Sequence, residues 1–236
     1  MTAKKKKAKL VLLRHGQTHY NIGHLMTGRH DAPLTPKGEE QAAAAGVLIR
    51  HLPIDKVYSS SLSRAFNTAA LALKSAGKDL HIEKRHEIVE TDAGDFTGRC
   101  YTTDPEILAH DAAYGRAMPN GESDKDVVKR VRKFFEDEVL PRLERGENVM
   151  VVAHYGVACA FDIILGLVPE PADGQPCHAA RVPNAAPAVY HYEDGVMQGY
   201  TYIENAKSQP RAPEADNQND KKPAPRRRRK GPQKGL

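Results

Sequence analysis

Four apolar residues, Leu10 to Leu13, run without a polar break and stop at Arg14-His15-Gly16. A short continuous apolar run closed by glycine predicts a buried strand that ends at a turn. Asn148 to Ala153 repeats the pattern and stops at His154-Tyr155-Gly156. Between these runs the spacing changes to that of helices. Thr35-Pro36 supplies a capping hydroxyl and a proline at the first helical position, which predicts a helix to about Leu52 with Val47, Leu48 and Leu52 as its apolar stripe. Ile54 to Ser60 reads as a short strand. Ser63 to about Ala76 reads as a helix, with Ala65, Ala69, Leu73 and Ala76 on one face. Residues 81–88 read as an edge strand, and the glycine-containing stretch 92–121 as irregular chain with a short helix. Ser123 followed by Asp126 is a capping-box pattern, ahead of an apolar face of Val127, Val128, Val131, Phe134 and Phe135. Residues 156–167 read as a buried helix, and 188–204 as a hairpin around Asp194-Gly195.

Strands alternating with helices predict an α/β fold, a three-layer sandwich whose mostly parallel central sheet is flanked by helices. The body spans 10–204. Apolar residues nearly vanish from Asn205 onward, so 205–236 is expected to be a disordered basic tail, with 1–9 as a basic N-terminal tail.

Charge sharpens this division. The 236-residue chain has a net charge of +5, but the first nine residues hold five lysines and no acid, and 205–236 hold ten bases and three acids. The body is left with 20 bases and 27 acids. The basic character therefore belongs to the ends and does not argue for a nucleic-acid-binding fold. The runs Lys4–Lys7 and Arg226–Lys230 suit weak, sequence-independent contact with nucleic acid or another anionic surface. They carry no interleaved aromatics for base stacking.

Cys100, Cys159 and Cys177 are far apart and form no CxxC pair, so neither a disulfide framework nor a zinc site is expected. No stretch has the length of a membrane span, and no signal peptide is read, so the expected location is cytoplasmic. His19, His24 and His30 cluster near His15, but without metal-ligand spacing they read as loop histidines, and no metal is expected. Glycine-rich nucleotide cradles are absent, and no cofactor is expected.

The chemistry is concentrated where the two buried strands end. Each delivers a histidine to its carboxyl end, the edge at which α/β sheets bind ligands. If the strands are neighbours, His15 and His154 face one mouth. A cation beside an imidazole, Arg14 beside His15, suits holding and attacking a phosphate.

RHGQTHYN at 14–21 resembles the opening of the histidine phosphatase superfamily, the phosphoglycerate-mutase-like proteins. TGRHDAPLTPKG at 27–38, SSSLSRAFNTA at 59–69, ETDAGDFTG at 90–98, PNGES at 119–123 and VVAHYG at 151–156 are similar to later motifs of that family in order and spacing. The resemblance implies that His15 is the nucleophile, forming a phosphohistidine. It implies that Arg14, Arg64 and His154 surround the phosphate, with neutral hydrogen bonds from Asn21 and Thr18. Thr27 and Gly28 would lie on the substrate side. Glu90 would protonate the leaving oxygen and then activate water, which requires it to hold a proton for part of the cycle. The substrate implied is a small phosphorylated metabolite; oligomeric state is left open.

The same fold supports hydrolysis and mutase chemistry. Mutases of the family resemble one another in carrying two adjacent arginines for the substrate carboxylate. Alignment on Tyr114 and the GES at 121–123 places Asp111 and Ala112 there instead. An acid meets a carboxylate at a like-charge cost, which favours a phosphatase. Thr27-Gly28, VPNAAP at 182–187 and the nearby Arg116 pull toward the alternative, a 2,3-bisphosphoglycerate-dependent phosphoglycerate mutase.

Overall fold

A computed structural model describes residues 5–110, 113–177 and 182–203. The expected disordered tail from 205 lies outside the described residues, as do Asp111 and Ala112. The elements are β1 (Lys7–Arg14), α1 (His19–Ile22), α2 (Pro36–Ile49), β2 (Lys56–Ser60), α3 (Ser63–Ala76), β3 (Ile82–Arg85), α4 (Pro105–Ala109), α5 (Asp124–Phe134), α6 (Leu140–Arg145), β4 (Val149–Ala153), α7 (Tyr155–Ile164), β5 (Pro187–Glu193) and β6 (Val196–Tyr202).

The six strands form one sheet in the order β3-β2-β4-β1-β5-β6. The pairings from β3 through β1 are parallel, and β5 and β6 add an antiparallel edge. β1 lies between β4 and β5, so its alternate side chains serve opposite faces. Leu10 and Leu12 pack into one core with α5, α6 and α7. Val11 and Leu13 pack into the other with α2 and α3. Burial on both faces is why the sequence shows an unbroken apolar run rather than alternation.

β1 starts at Lys7, so Lys7 to Lys9 belong to the sheet, opposite Glu193, Tyr192 and His191, rather than to a tail. Their charged ends did not prevent pairing because Ala8 alone turns fully inward. The capping of α2 is as expected: Thr35 Oγ1 accepts from Gly38 N, with Pro36 in the first turn. Its stripe is not. Val47 is exposed, and the buried positions within the helix are Gly38, Ala42, Ala45, Gly46 and Ile49. The helix packs closely on α3, and a Cβ at Gly46 would strike the Ala72 carbonyl. Close approach selects small residues, so the larger Val47 faces out. Leu52 is buried but lies beyond the helix.

α5 has the expected capping box, with Ser123 Oγ accepting from Asp126 N and the Asp126 carboxylate accepting from Ser123 N. Its helix continues through one wide turn, Phe135–Val139, into α6. Pro141 lacks an N–H and its ring crowds the carbonyl four residues back, which accounts for the widened turn beside it. α7 ends at Ile164, before the expected Leu167. Among the described residues no helix is long and apolar enough to cross a membrane.

Candidate active site

β2, β4 and β1 are adjacent, and their carboxyl ends deliver the chemistry to one edge. Arg14 pairs in register with Ala153, and His15 N donates to the Ala153 carbonyl at 3.0 Å. That register brings His15 and His154 together, with ring centroids 5.2 Å apart and planes 58° apart. Both are buried.

His15 Nδ1 lies 2.7 Å from the Gly16 carbonyl oxygen. A carbonyl only accepts, so this contact assigns the proton to Nδ1 and leaves the lone pair on Nε2. Burial, then the charges of Arg64 and Arg14, hold the imidazole well below its ordinary pKa. His154 Nε2 lies 2.7 Å from Ser60 Oγ, whose oxygen also accepts from Leu62 N. When the Ser60 hydroxyl donates to Nε2, the ring proton of His154 sits on Nδ1. That Nδ1 is buried without a hydrogen-bond partner in the protein. Burial and the charges of Arg64, His15, Arg14 and Arg130 likewise lower the His154 pKa.

Two guanidiniums complete the positive wall. Arg64, in the first turn of α3, has no exposed surface. It donates from Nη1 to the His30 carbonyl at 2.7 Å and from Nη2 to the Gly28 carbonyl at 2.9 Å. Arg14 donates from Nη1 to the Val182 carbonyl at 2.8 Å, and its guanidinium lies 5.3 Å from the centre of the Tyr155 ring. Nε of each arginine is buried without a partner. Burial lowers both pKa values from the usual arginine value. Among the described residues neither arginine makes an ion pair. Two desolvated cations fixed by carbonyls, with donors to spare, suit a phosphate dianion. Replacement of Arg64 by Met is expected to lower kcat/KM for phosphate release by about 10²–10³-fold, as for loss of one preorganised charge donor. Steady-state kinetics check this, with circular dichroism confirming the fold.

Glu90 reaches the site from the chain that follows β3. Its Oε1 accepts from Thr91 N at 2.9 Å and Gly156 N at 3.0 Å, and Oε2 accepts from Tyr155 N at 3.2 Å. His154 is the N-cap of α7 but makes no side-chain cap bond. Glu90 supplies that cap in its place, satisfying two free N–H groups at the positive end of the helix. A Cβ at position 156 would strike Thr91 Oγ1 and lie 2.8 Å from Glu90 Oε1, so the glycine of His-Tyr-Gly is required by this approach.

The other expected site residues are distributed unevenly. Thr18 is fully buried, and its hydroxyl accepts from Asn21 N while Asn21 Oδ1 accepts from Thr18 N. Thr18 thus holds Asn21, whose oxygen also accepts from Asn184 Nδ2 at 3.4 Å. Gly28 serves through its carbonyl on Arg64. The Thr27 carbonyl accepts from His30 N.

Several working residues escaped sequence reasoning. Ser60 orients His154. Asn184 donates to the His15 carbonyl at 2.9 Å. Arg130 donates to the Glu87 and Glu90 carbonyls and to Glu122, which also binds Arg29 and accepts from Asp92 N. This network fixes the Glu90 segment. The glutamate of Pro-Asn-Gly-Glu-Ser was the visible signal, but its partners come from distant chain. Among the described residues the cysteines form no disulfide, and no group of three or more His, Cys, Asp or Glu is placed to hold a metal ion.

Residues 10–195 match the model of the histidine phosphatase superfamily, branch 1. A 2,3-bisphosphoglycerate-dependent phosphoglycerate mutase of Parvibaculum lavamentivorans is 34% identical over 206 residues, 83% of this chain and 96% of that protein. A mycobacterial glucosyl-3-phosphoglycerate phosphatase has a similar structure, with a TM-score of 0.61 and 30% identity over 77% of this chain and 92% of that one. A Bacillus anthracis phosphoglycerate mutase has a TM-score of 0.69 and 25% identity over 85% of this chain and 93% of that one.

Proposed function

The chain belongs to branch 1 of the histidine phosphatase superfamily, and from that premise we propose that it is a metal-independent phosphomonoesterase that hydrolyses a small phosphorylated metabolite through a phosphohistidine at His15. The observation that carries the reading is the His15 ring: Nδ1 is tied to the Gly16 carbonyl, which leaves Nε2 free to attack beside the buried Arg64 and the half-buried Arg14.

In the first step Nε2 attacks phosphorus in line with the leaving oxygen. Arg14, Arg64 and the Nδ1–H of His154 hold the equatorial oxygens as charge shifts onto them. Protonated Glu90 gives its proton to the departing alcohol oxygen. In the second step the Glu90 carboxylate takes a proton from water, and the hydroxide oxygen attacks the phosphohistidine. Phosphate leaves and His15 Nε2 regains its lone pair.

A phosphoglycerate mutase is the second reading, favoured by the names of the curated relatives. Against it stands the sequence at 111–112, Asp-Ala rather than an arginine pair. One experiment separates the two. Phosphate release from a panel of phosphomonoesters is measured in EDTA, with 3-phosphoglycerate to 2-phosphoglycerate conversion followed with and without 2,3-bisphosphoglycerate. Release that persists in EDTA is expected. Isomerisation without release would replace the phosphatase reading with the mutase one, and loss of release in EDTA would end the metal-independent one.

The lowered histidine pKa values give a further expectation. Both rings stay neutral in the free enzyme as pH falls through the ordinary imidazole value of 6.5. Ring nitrogen NMR shifts of His15 and His154 should therefore remain those of neutral imidazole at pH 6. The unfolded chain takes up these protons below about 6.5 while the folded chain does not, so their contribution to stability is present above that pH and is lost on acidification, through the depressed folded values. A half-protonated His15 at or above pH 6.5 would contradict the burial argument.

A further inference from the structure

The phosphate clamp and the acid–base of this site come from separate stretches of chain, and one carboxylate, Glu122, bonds to both. The clamp is the loop 28–31. The Gly28 and His30 carbonyls fix Arg64. Asp31 Oδ1 accepts from Ser63 N at 2.7 Å and from the Ser63 hydroxyl at 2.8 Å, capping α3, whose own N-cap residue makes no side-chain bond. Arg29 lies between these anchors and donates from Nη2 to Glu122 Oε1 at 2.8 Å, with Nη1 3.4 Å from Asp92 Oδ2. The acid–base arm is the segment 87–92. Arg130 of α5 donates to the Glu87 carbonyl at 2.7 Å and to the Glu90 carbonyl at 3.1 Å. The same guanidinium holds Glu122 by both oxygens, from Nε to Oε1 at 3.1 Å and from Nη2 to Oε2 at 3.0 Å. Asp92 N donates to Oε2 at 3.0 Å.

These contacts saturate Glu122. An ionised carboxylate offers about four lone-pair sites. Arg29 and Arg130 fill those of Oε1, and Arg130 and Asp92 those of Oε2. The side chains of Glu122 and Arg130 are each 18% exposed, so the bonds between them are largely shielded from water. The carboxylate also holds two guanidiniums, which repel one another, at one point. The two stretches touch directly as well: a Cβ on Gly28 would lie 2.8 Å from Ala93 Cβ, so neither moves far without the other.

Resting on the phosphatase reading above, we propose that Glu122 is a positioning residue that sets the placement of Arg64 relative to Glu90, so that phosphate binding and proton transfer to the leaving group depend on it together. It acts through Arg29 and Arg130 and takes no part in the bond changes. A misplacement on the order of 1 Å costs an oriented reaction about 10²-fold, so a joint between clamp and acid–base has leverage on both.

Glu122→Gln keeps the shape, but whichever way the amide turns, its NH₂ faces N–H donors, and the bonds on that side are lost. Two quantities read the result, and neither depends on the fraction of folded protein. The inhibition constant of inorganic phosphate reports the Arg64 clamp and is expected to rise about tenfold. The second quantity is kcat/KM for the alkyl phosphomonoester that the wild type cleaves fastest, divided by kcat/KM for 4-nitrophenyl phosphate. It reports Glu90, because nitrophenolate leaves without a proton, and it should fall about tenfold. Arg29→Met cuts only the clamp's bond to Glu122, and serves if the glutamine variant does not fold. It should raise the inhibition constant and spare the ratio. A change in one quantity alone in Glu122→Gln, a change in neither, or wild-type phosphate inhibition in Arg29→Met would overturn the role of Glu122 and leave the phosphatase reading standing. Failure of the wild type to release phosphate from any alkyl ester would instead overturn the reading on which it rests.

Discussion

His15→Ala is expected to lower phosphate release by on the order of 10⁴-fold or more, by the scale seen when a covalent nucleophile is removed. The effect is large because no other described group can replace Nε2. The second imidazole is fixed by Ser60 at its Nε2, so that nitrogen is already engaged. The fold should survive the substitution. His15 contributes one side-chain hydrogen bond, to the carbonyl of its neighbour. Thermal unfolding and kinetics on one preparation check both halves. Full activity in a folded His15→Ala protein would remove the nucleophile from the account.

Glu90→Gln is expected to slow turnover by about 10²–10⁴-fold, the range for loss of a positioned general acid–base. Its signature is distinctive because the residue serves two steps. With an aryl phosphate, whose leaving group needs little protonation, the first step proceeds while water attack is left without its base. A burst of about one phenolate per chain should precede a slow steady state. The amide retains an acceptor for Thr91 and Gly156, but turns its NH₂ toward Tyr155 N or the reverse, so one cap bond is lost. A stability loss of about 1 kcal/mol follows, and a thermal scan reads it. Equal slowing of burst and steady state would assign Glu90 to the first step alone.

The parts of this molecule that were legible in its sequence are those fixed by local pattern. Leu10–Leu13 and Asn148–Ala153 announced buried strands because both faces of a central parallel strand must be apolar. Thr35-Pro36 and Ser123…Asp126 announced helix starts because a capping side chain bonds within three residues. The histidines at the two strand ends then implied one mouth, and the β1–β4 register places them there. What could not be read depended on long-range approach. Val47 looked like core until the closeness of α2 and α3 selected alanine and glycine. Lys7 and Lys9 looked like tail because lysines on a strand rim carry no pattern of their own. Ser60 and Asn184 are ordinary residues in ordinary segments, and their work depends on partners 94 and 169 residues away. Glu90 lay between these cases. Its motif located it, but its role as the cap of α7 appears only once the two segments meet.

The central claim is that phosphate passes through His15 on its way to water. Quenching Glu90→Gln in alkali during turnover of a ³²P-labelled aryl phosphate, then mapping the labelled peptide, tests it most directly. Alkali preserves phosphohistidine, and acid releases it. About one alkali-stable, acid-labile phosphate per chain is expected on the peptide that contains His15, and none in the doubly substituted protein that also carries His15→Ala. Label on the His154 peptide, or product formed with no label on the protein, would contradict it.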